Sequence, residues 1–420
     1  MLVSGRLLKY VLFVNLNRSC RLQFFLKKSL VSFFLLSTMA KTRPELEVLE
    51  GITQFTTDLY KVLAKTPGNV IFSPISVHAV LSMSYQAAKG TTAEKFASTL
   101  KVPTAAAGAE GYNIVMKRLN SVPNVTLLMA NKIFLKKGYQ LLPEFSNAVS
   151  ENFLSEVQLL NFAANEAAAA SINAWVKEKT KDKIKDIINK DNLDESTRLI
   201  LVNAIYFKGN WAIPFDKNST KTAPFYLNKG DKVNVPMMNK VVNLFYKADK
   251  KLDVQILELP YTNENLSMII ILPNKRNGLD KLEKKLATCN LMEIMQQMWK
   301  VNVIVQLPRL KIEQTIFLND PLTKLGLGEI FDPHAANFGG MITSNEQLFV
   351  SQAVQKAFIE VNEEGAEAAA ATLLAVTFYC GGRGGPPPPK KFIADHPFIY
   401  FLCENRSNPL FAGRLSDPRN

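Results

Sequence analysis

The sequence predicts an α+β protein, because helical patterns cluster early in the chain and strand patterns cluster late. Strands and helices do not alternate strictly, as they would in a doubly wound parallel sheet. With 420 residues, of which 47% are hydrophobic and 21% are charged, the chain is long enough to bury a large core. Disorder is therefore excluded as a description of the whole chain.

Three stretches have the pattern of helices. Glu45–Lys65 places apolar side chains at helical spacing, and Ser76–Lys89 follows Ser73-Pro74, a pair typical of a helix start. Ala163–Ile188 begins with alanines and carries its aliphatic side chains on one side. We expect a helix over each stretch.

Six stretches have the pattern of strands. They are Val125–Leu135, Thr197–Phe207, Met268–Leu272, Val301–Glu313, Ser351–Val361 and Phe398–Leu402. Met268–Leu272 is an unbroken aliphatic run, which is typical of a strand buried on both faces. Ser351–Val361 alternates, and Gln355 falls on its apolar face, so its amide needs buried partners.

The net charge does not indicate nucleic-acid binding. The formal charge is +13, from 50 basic and 37 acidic residues, and the first 40 residues supply six of these charges. The remaining body is mildly basic, and its stretch Lys177–Lys190 mixes both signs, as a solvated helix face does. We expect neither a nucleic-acid partner nor a membrane partner.

The first 40 residues resemble a secretory leader. Lys27-Lys28 precede the apolar run Ser29–Ser37, which is too short to span a bilayer, and Thr38-Met39-Ala40 offers a small-residue cleavage site. We expect residues 1–40 to be a signal peptide and residues 41–420 to form a single domain. The alternative is that translation starts at Met39, which would leave the protein in the cytoplasm.

Four Asn-x-Ser/Thr sequons beyond the predicted leader fit a secreted chain. They begin at Asn124, Asn218, Asn265 and Asn405, which are therefore candidate glycosylation sites.

Cysteine and histidine are too scarce for several functional classes. The four cysteines are Cys20, Cys289, Cys380 and Cys403, and the three histidines are His78, His334 and His396. This count excludes a small disulfide scaffold and argues against a multi-histidine metal site. A phosphate-binding glycine loop is not recognisable either. We expect no metal and no cofactor.

One segment breaks the pattern of its surroundings. Glu363–Ala371, with the letters EEGAEAAAA, favours a helix by propensity, yet it follows a predicted strand. The glycine and proline tract 381–389 follows and cannot build a packed core, so we expect an exposed, mobile loop. Exposed loops of this kind often carry function.

The same segment can also form a strand. One face would hold Ala366, Ala368, Ala370, Thr372, Leu374 and Val376, and the other would hold Glu367, Ala369, Ala371, Leu373, Ala375 and Thr377. Gly365 lies at its start, where a hinge would bend, and Gly365 to Tyr379 would extend over about 46 Å. The segment could therefore enter a sheet as a central strand without burying a charge. A plain flexible loop is the alternative.

Several motifs over residues 45–420 resemble those of the serpin family. Glu360–Ala371 (EVNEEGAEAAAA) resembles the family's reactive-loop hinge, and Ala394–Leu402 (ADHPFIYFL) with Asn408–Gly413 (NPLFAG) resembles its carboxy-terminal signature. Asn69–Ser76 (NVIFSPIS) and Leu201–Trp211 (LVNAIYFKGNW) resemble the segments under its central sheet. The amino-acid sequence of residues 352–371 most resembles that of insect haemolymph serpins.

The resemblance implies a fold of three β-sheets with eight to nine helices and an exposed reactive-centre loop at about residues 363–391. It implies a hinge made of Glu363, Glu364, Gly365, Ala366, Glu367, Ala368, Ala369, Ala370 and Ala371. It places the cleaved bond at Tyr379–Cys380, or at Arg383–Gly384 if the long tract displaces it.

The resemblance also implies a region where the central sheet opens. It would be formed by Ser73, Ser76, Asn203 and Gln355, and Gln355 stands where many vertebrate members have histidine. Trp211 matches an aromatic residue at the top of the sheet, although an ordinary core tryptophan is an equal alternative.

By resemblance, the function is protease inhibition as a trapped substrate rather than enzymatic catalysis. The partner would be a protease held in a covalent complex by a monomeric inhibitor. Tyr379 favours a chymotrypsin-like target, Phe378 keeps a cathepsin-like target open, and Arg383 suits a trypsin-like target only if the loop is cut late. A non-inhibitory carrier, chaperone or storage protein is the alternative. A hydrolase is a weaker one, because His78 fits a helix-surface or core histidine and none of the three histidines has a recognisable nucleophile partner.

Overall fold

Eight α-helices are present in the residues that the computed structural model describes, which are 43–227, 230–286, 289, 294–295, 297–344, 346–364 and 387–419. The helices are α1 Pro44–Leu63, α2 Pro74–Tyr85, α3 Gly90–Leu100, α4 Ala105–Leu119, α5 Pro143–Phe153, α6 Asn165–Lys179, α7 Leu279–Leu286 and α8 Asn319–Leu322. Ser73 caps α2, because its side chain accepts a hydrogen bond from the Ser76 backbone N–H, and Pro74 fills the first helical position.

Fourteen strands are described in the same part of the chain. They are β1 Val70–Phe72, β2 Val125–Lys136, β3 Val157–Leu160, β4 Leu199–Gly209, β5 Lys221–Tyr226, β6 Lys232–Asp249, β7 Val254–Pro260, β8 Leu266–Pro273, β9 Trp299–Pro308, β10 Leu310–Phe317, β11 Val350–Val361, β12 Lys390–Ile393, β13 Phe398–Glu404 and β14 Asn408–Leu415.

The described strands form two hydrogen-bonded arrays, and the second array comprises two sheets. A five-stranded sheet has the order β10-β11-β4-β2-β3. The others join in the order β1-β14-β13-β8-β7-β6-β9-β12, with β5 on β6. The long strand β6 divides this second array, because its end pairs with β7 and its earlier part pairs with β5 and β9. The predicted α+β class with three sheets is confirmed.

Two hydrophobic cores lie on opposite faces of the five-stranded sheet. The larger core packs helices α1 to α5 and most of the other strands against the inner face. The smaller core packs α6 and the isoleucines that follow it against the outer face. Successive side chains of β4 and β11 point to opposite faces of the sheet, so these strands contribute to both cores. Ile205 and Ile359 face the larger core, while Tyr206 and Phe358 face the smaller one.

Two sequence predictions were wrong in their extent. The helix predicted over Ala163–Ile188 ends at Lys179, because Lys181, Asp182 and Asp186 have left-handed backbone angles that no helix tolerates. The strand predicted over Val301–Glu313 is two strands, since the chain leaves one sheet at Pro308 and joins the five-stranded sheet at Leu310. The other predicted helices and strands are present, with ends shifted by a few residues.

Candidate functional site between strands β4 and β11

Strands β4 and β11 are the central pair of the five-stranded sheet, and they run parallel. Their register places Gln355 opposite Asn203 and Phe358 opposite Tyr206. Each strand is antiparallel to its other neighbour, β10 or β2. The first two residues of the predicted loop, Glu363 and Glu364, are described, and the description resumes at residue 387. The predicted loop therefore starts at the end of this parallel pair.

A central polar cluster lies beneath this pair and consists of Ser73, Ser76, Asn131, Asn203 and Gln355, all buried. The Gln355 amide accepts from the Ser73 N–H and donates to the Ser73 carbonyl, both at 3.0 Å, and it also donates to Asn203 Oδ1. The Asn203 amide donates to Ser76 Oγ and Asn131 Oδ1, and Ser76 Oγ donates to Asn131 Oδ1 at 2.9 Å. These bonds tie β11 to β4 and tie both strands to helix α2.

A second group of contacts holds the chain where β11 ends. The Trp211 indole N–H donates to the Asn362 carbonyl at 2.8 Å, and its backbone N–H donates to the Glu364 carbonyl at 3.3 Å. The buried indole stacks on Tyr261 with the ring centroids 4.4 Å apart. Gly209 permits this packing, because a Cβ there would lie 2.8 Å from the Tyr261 ring.

The buried carboxylate of Glu363 carries the charge of this second group. Arg309 Nε donates to both of its oxygens, at 2.8 and 2.9 Å, and Thr220 Oγ1 donates to one of them. Burial raises the pKa of Glu363, but the hydrogen bonds from Arg309 and Thr220 lower it by more, so the pKa lies below its ordinary value. We call Trp211, Thr220, Arg309 and Glu363 the strand-end cluster.

Two lysines support the connection between β4 and β5. Lys217 forms an ion pair with Glu364 at the surface. Lys240 donates to the Ile213 carbonyl at 2.6 Å and lies 4.0 Å from the centre of the Phe215 ring. Burial lowers the pKa of Lys240 to about 7. This connection is therefore fixed both to the body of the protein and to the start of the predicted loop.

The chain matches a protein-family model over residues 50–418, and the family is described as serpin, serine protease inhibitor. The chain belongs to the serpin family. A leukocyte elastase inhibitor of Xenopus laevis is 37% identical, with 87% of this chain and 98% of that protein covered. Human serpin B3 is 36% identical, over 88% of this chain and 99% of that protein.

Solved serpin structures superpose closely on this one. The crystal structure of Serpin48, a highly specific serpin of the insect Tenebrio molitor, gives a TM-score of 0.78 at 32% identity. The match covers 89% of this chain and 98% of that chain. The resemblance stated from the sequence is confirmed, and so is the serpin fold.

Four of the five residues predicted for sheet opening lie together in this serpin. Ser73, Ser76, Asn203 and Gln355 form the central polar cluster. Trp211 lies apart from them, in the strand-end cluster. Its hydrogen bonds to residues 362 and 364 agree with a position at the top of the sheet, beside the start of the predicted loop. Its burial agrees equally with an ordinary core tryptophan.

Sequence reasoning missed three residues of these clusters. Asn131 had a readable signal, because it is a polar residue inside an apolar strand. Arg309 also had one, since it stands between two strand patterns that were read as one. Nothing in the sequence singled out Thr220.

Most of the predicted loop lies outside the described residues, and so does the predicted leader 1–40. Glu363 and Glu364 are described. The hinge residues Gly365, Ala366, Glu367, Ala368, Ala369, Ala370 and Ala371, the bond Tyr379–Cys380 and the alternative bond Arg383–Gly384 are not.

The remaining candidate residues fall into two groups. All four sequon asparagines, Asn124, Asn218, Asn265 and Asn405, are exposed. His78 is fully buried instead, with Nε2 donating to the Leu100 carbonyl at 2.9 Å and Nδ1 2.7 Å from the Tyr112 hydroxyl. These bonds make it a core histidine.

Neither a metal site nor a membrane span is found in the described ranges. No group of three or more His, Cys, Asp or Glu side chains there is placed to hold a metal ion. Among the described helices, none combines the length and the apolar character that crossing a membrane requires.

Proposed function

We propose that this serpin inhibits a protease as a suicide substrate. The protease cleaves the reactive loop at Tyr379–Cys380, and residues 365–379 then insert as a new strand between β4 and β11. The observation that carries this proposal is the parallel pairing of β4 and β11 beside the loop start.

The direction of the strands explains why this position suits insertion. A segment that turns back after Glu364 runs antiparallel to β11, because it follows that strand in the chain. It also runs antiparallel to β4, because β4 is parallel to β11. Insertion thus replaces one parallel ladder with two antiparallel ones, which adds hydrogen bonds and favours the slightly more stable pairing. The face that holds Ala366, Ala368 and Ala370 carries no charge, because the only charged residue of this stretch, Glu367, falls on the other face.

The chemistry belongs to the protease. Its serine hydroxyl or cysteine thiol attacks the Tyr379 carbonyl carbon, and the Tyr379–Cys380 bond breaks. The proton of the nucleophile passes to the new amino group of Cys380, and Tyr379 stays bound as an ester or thioester. Insertion carries the acyl-enzyme away before water can hydrolyse it. The serpin supplies no catalytic group, so it is not an enzyme, and one monomer traps one protease.

The target follows from the residues around the bond. Tyr379 fits the large apolar primary pocket of a chymotrypsin-like protease. Phe378 supports a cathepsin-like cysteine protease as the second choice, and Arg383 supports a trypsin-like enzyme only if the cut falls at Arg383–Gly384. The relatives named as leukocyte elastase inhibitors support a protease as the partner.

We propose further that the protein is secreted and glycosylated, with residues 1–40 removed. The exposure of all four sequon asparagines supports this proposal. Mass spectrometry of the mature protein tests it: a chain that begins at Met39 and carries no glycan would instead indicate a cytoplasmic protein.

Substitution of Ala368 tests the mechanism. Ala368→Arg places a guanidinium on the face that enters the sheet interior, and a buried, unpaired charge slows insertion. The matched control is Ala369→Arg, which adds the same side chain to the opposite face. With chymotrypsin, we expect an SDS-stable complex for the unsubstituted protein and for Ala369→Arg. We expect only cleavage at Tyr379–Cys380 for Ala368→Arg.

Each result decides a different part of the proposal. Equal trapping by Ala368→Arg and Ala369→Arg would refute the assignment of the two faces. Cleavage of every variant without a complex, by a panel of chymotrypsin-like, cathepsin-like and trypsin-like proteases, would show a non-inhibitory carrier or storage protein instead.

A further inference from the structure

Two aromatic rings bridge β4 and β11 on the outer face of the five-stranded sheet. Tyr206 and Phe358 are register partners, and their rings stack with centroids 5.2 Å apart and planes 14° from parallel. Both side chains are buried, at 2% and 6% exposure. The stack therefore crosses the boundary that loop insertion has to open.

Two lysines from neighbouring elements cover this stack. Lys183, in the segment after α6, places Nζ 5.8 Å from the centre of the Tyr206 ring. Lys311 of β10 places Nζ 5.5 Å from the centre of the Phe358 ring. Cations over aromatic faces are attracted by the ring quadrupole. The two rings and the two lysines thus form one cluster that joins β4, β11, β10 and the segment after α6.

This contact depends on β4 and β11 being direct neighbours. Adjacent strands lie about 4.8 Å apart, so one inserted strand would separate the two backbones by roughly 9.6 Å. Rings that stack at 5.2 Å cannot remain in contact at that spacing. The contact exists in the closed sheet and is lost in the opened one.

We propose that Tyr206 and Phe358 form a clasp that holds the sheet closed and sets the rate of loop insertion. This inference rests on the proposed function, since it assumes that a strand enters between β4 and β11. Aromatic pairs contribute enough free energy to change a rate by about three- to tenfold. The two residues act as positioning residues, because they bias the sheet and do not touch the protease.

The test compares the native protein with the protein cleaved in its loop. The variants are Tyr206→Leu, Phe358→Leu and the double variant, and the measurement is the urea midpoint of each in both forms. In the native form, the double variant should lower the urea midpoint by less than the sum of the decreases in the two single variants. The reason is that each single variant already removes the ring stack. In the cleaved form, the two decreases should add. We also expect trapping of chymotrypsin by the single variants to be about three- to tenfold faster.

Two further variants distinguish a clasp from ordinary packing. Tyr206→Phe keeps both rings and should behave like the unsubstituted protein. Phe134→Leu removes a ring from the same outer core, where Phe134 of β2 packs on Trp175 of α6, away from the boundary between β4 and β11. It should lower the midpoints of both forms and leave the trapping rate unchanged.

The outcomes separate this inference from the proposed function. Equal non-additivity in the native and cleaved forms, or an unchanged trapping rate, would overturn the clasp while leaving inhibition intact. If cleavage of the unsubstituted protein does not raise its midpoint, no strand is inserted. The proposed function then fails, and the clasp fails with it.

Discussion

The central polar cluster and the strand-end cluster both join the chain around β4 to the chain around β11, but by different physical means. The central cluster is built from neutral amides and hydroxyls that are almost completely buried. The strand-end cluster relies on a carboxylate held by a guanidinium, and the Arg309 side chain remains 46% exposed. A neutral network in the interior is costly to break, because each group left alone is buried without a partner. A charge pair with one partner open to water is weaker, and it responds to pH because its carboxylate can be protonated.

The two clusters also hold different parts of the chain in place. The central cluster holds β4 and β11 together, since Gln355 and Asn203 join the two strands directly. The strand-end cluster fixes the start of the loop, since Trp211 and Arg309 bind residues 362–364. Three predictions test this difference, and they are arranged from the largest expected effect to the smallest.

Replacing Gln355 by Leu should lower the free energy of unfolding by about 4 kcal/mol, because the Ser73 N–H, the Ser73 carbonyl and the Asn203 amide oxygen lose buried partners. The first urea transition, followed by tryptophan fluorescence, measures this loss. The control is Gln347→Leu, at an exposed glutamine, which should change the free energy by less than about 0.5 kcal/mol. A loss at Gln355 no larger than that of the control would show that the central cluster does not hold the sheet.

Lowering the pH should reduce the free energy of unfolding, because of a buried histidine on the helix beneath the central cluster. His78 lies on α2 with Ser76, and burial lowers its pKa from 6.5 to about 4, against a smaller opposing effect of the bond to Leu100. The unfolded chain takes up a proton near pH 6.5 and the native one does not, so stability is lost as the pH falls from 6.5 towards 4. The loss should reach about 3 kcal/mol.

Urea titrations at a series of pH values check this profile. His78→Gln keeps a neutral side chain that can donate and accept, and it should flatten the curve between pH 6.5 and 4. His334→Gln, at an exposed histidine, should leave the curve as it is. An unchanged profile for His78→Gln would mean that other groups cause the acid loss.

Much of this arrangement was predictable from the sequence, because local patterns carry it. The strand that contains Gln355 was readable from its alternation, and the burial of its amide was implied by the face on which it falls. The partners were less predictable, since Asn131 lies on the distant strand β2 and Arg309 lies in the link between β9 and β10. Only the sheet order brings them to Asn203 and Glu363. The end of α6 was misjudged because helical spacing continues in the letters while the backbone turns at Lys181 and Asp182.

The adjacent glutamates at the end of β11 provide the finest comparison. Glu363 is buried and bound by Arg309, whereas Glu364 pairs at the surface with Lys217, whose side chain is 65% exposed. Glu363→Gln should cost about 2 kcal/mol at pH 7, since it removes a charged and hydrogen-bonded pair, and Glu364→Gln should cost less than about 1 kcal/mol.

Salt and acid separate the two contributions further. The small cost of Glu364→Gln should shrink in high salt, while that of Glu363→Gln should persist because burial limits screening. Since the pKa of Glu363 is lower in the folded protein than its ordinary 4.5, its contribution is present above pH 4.5 and is lost as the pH falls below it. Urea titrations of both variants at pH 7 and pH 3.5, each with and without added salt, measure these differences. If the two substitutions cost the same at pH 7, the bond between Arg309 and Glu363 is no stronger than a surface ion pair. The hold on residues 362–364 would then rest on the neutral bonds, among them those from the Trp211 indole and from the backbone N–H groups of Trp211 and Phe215.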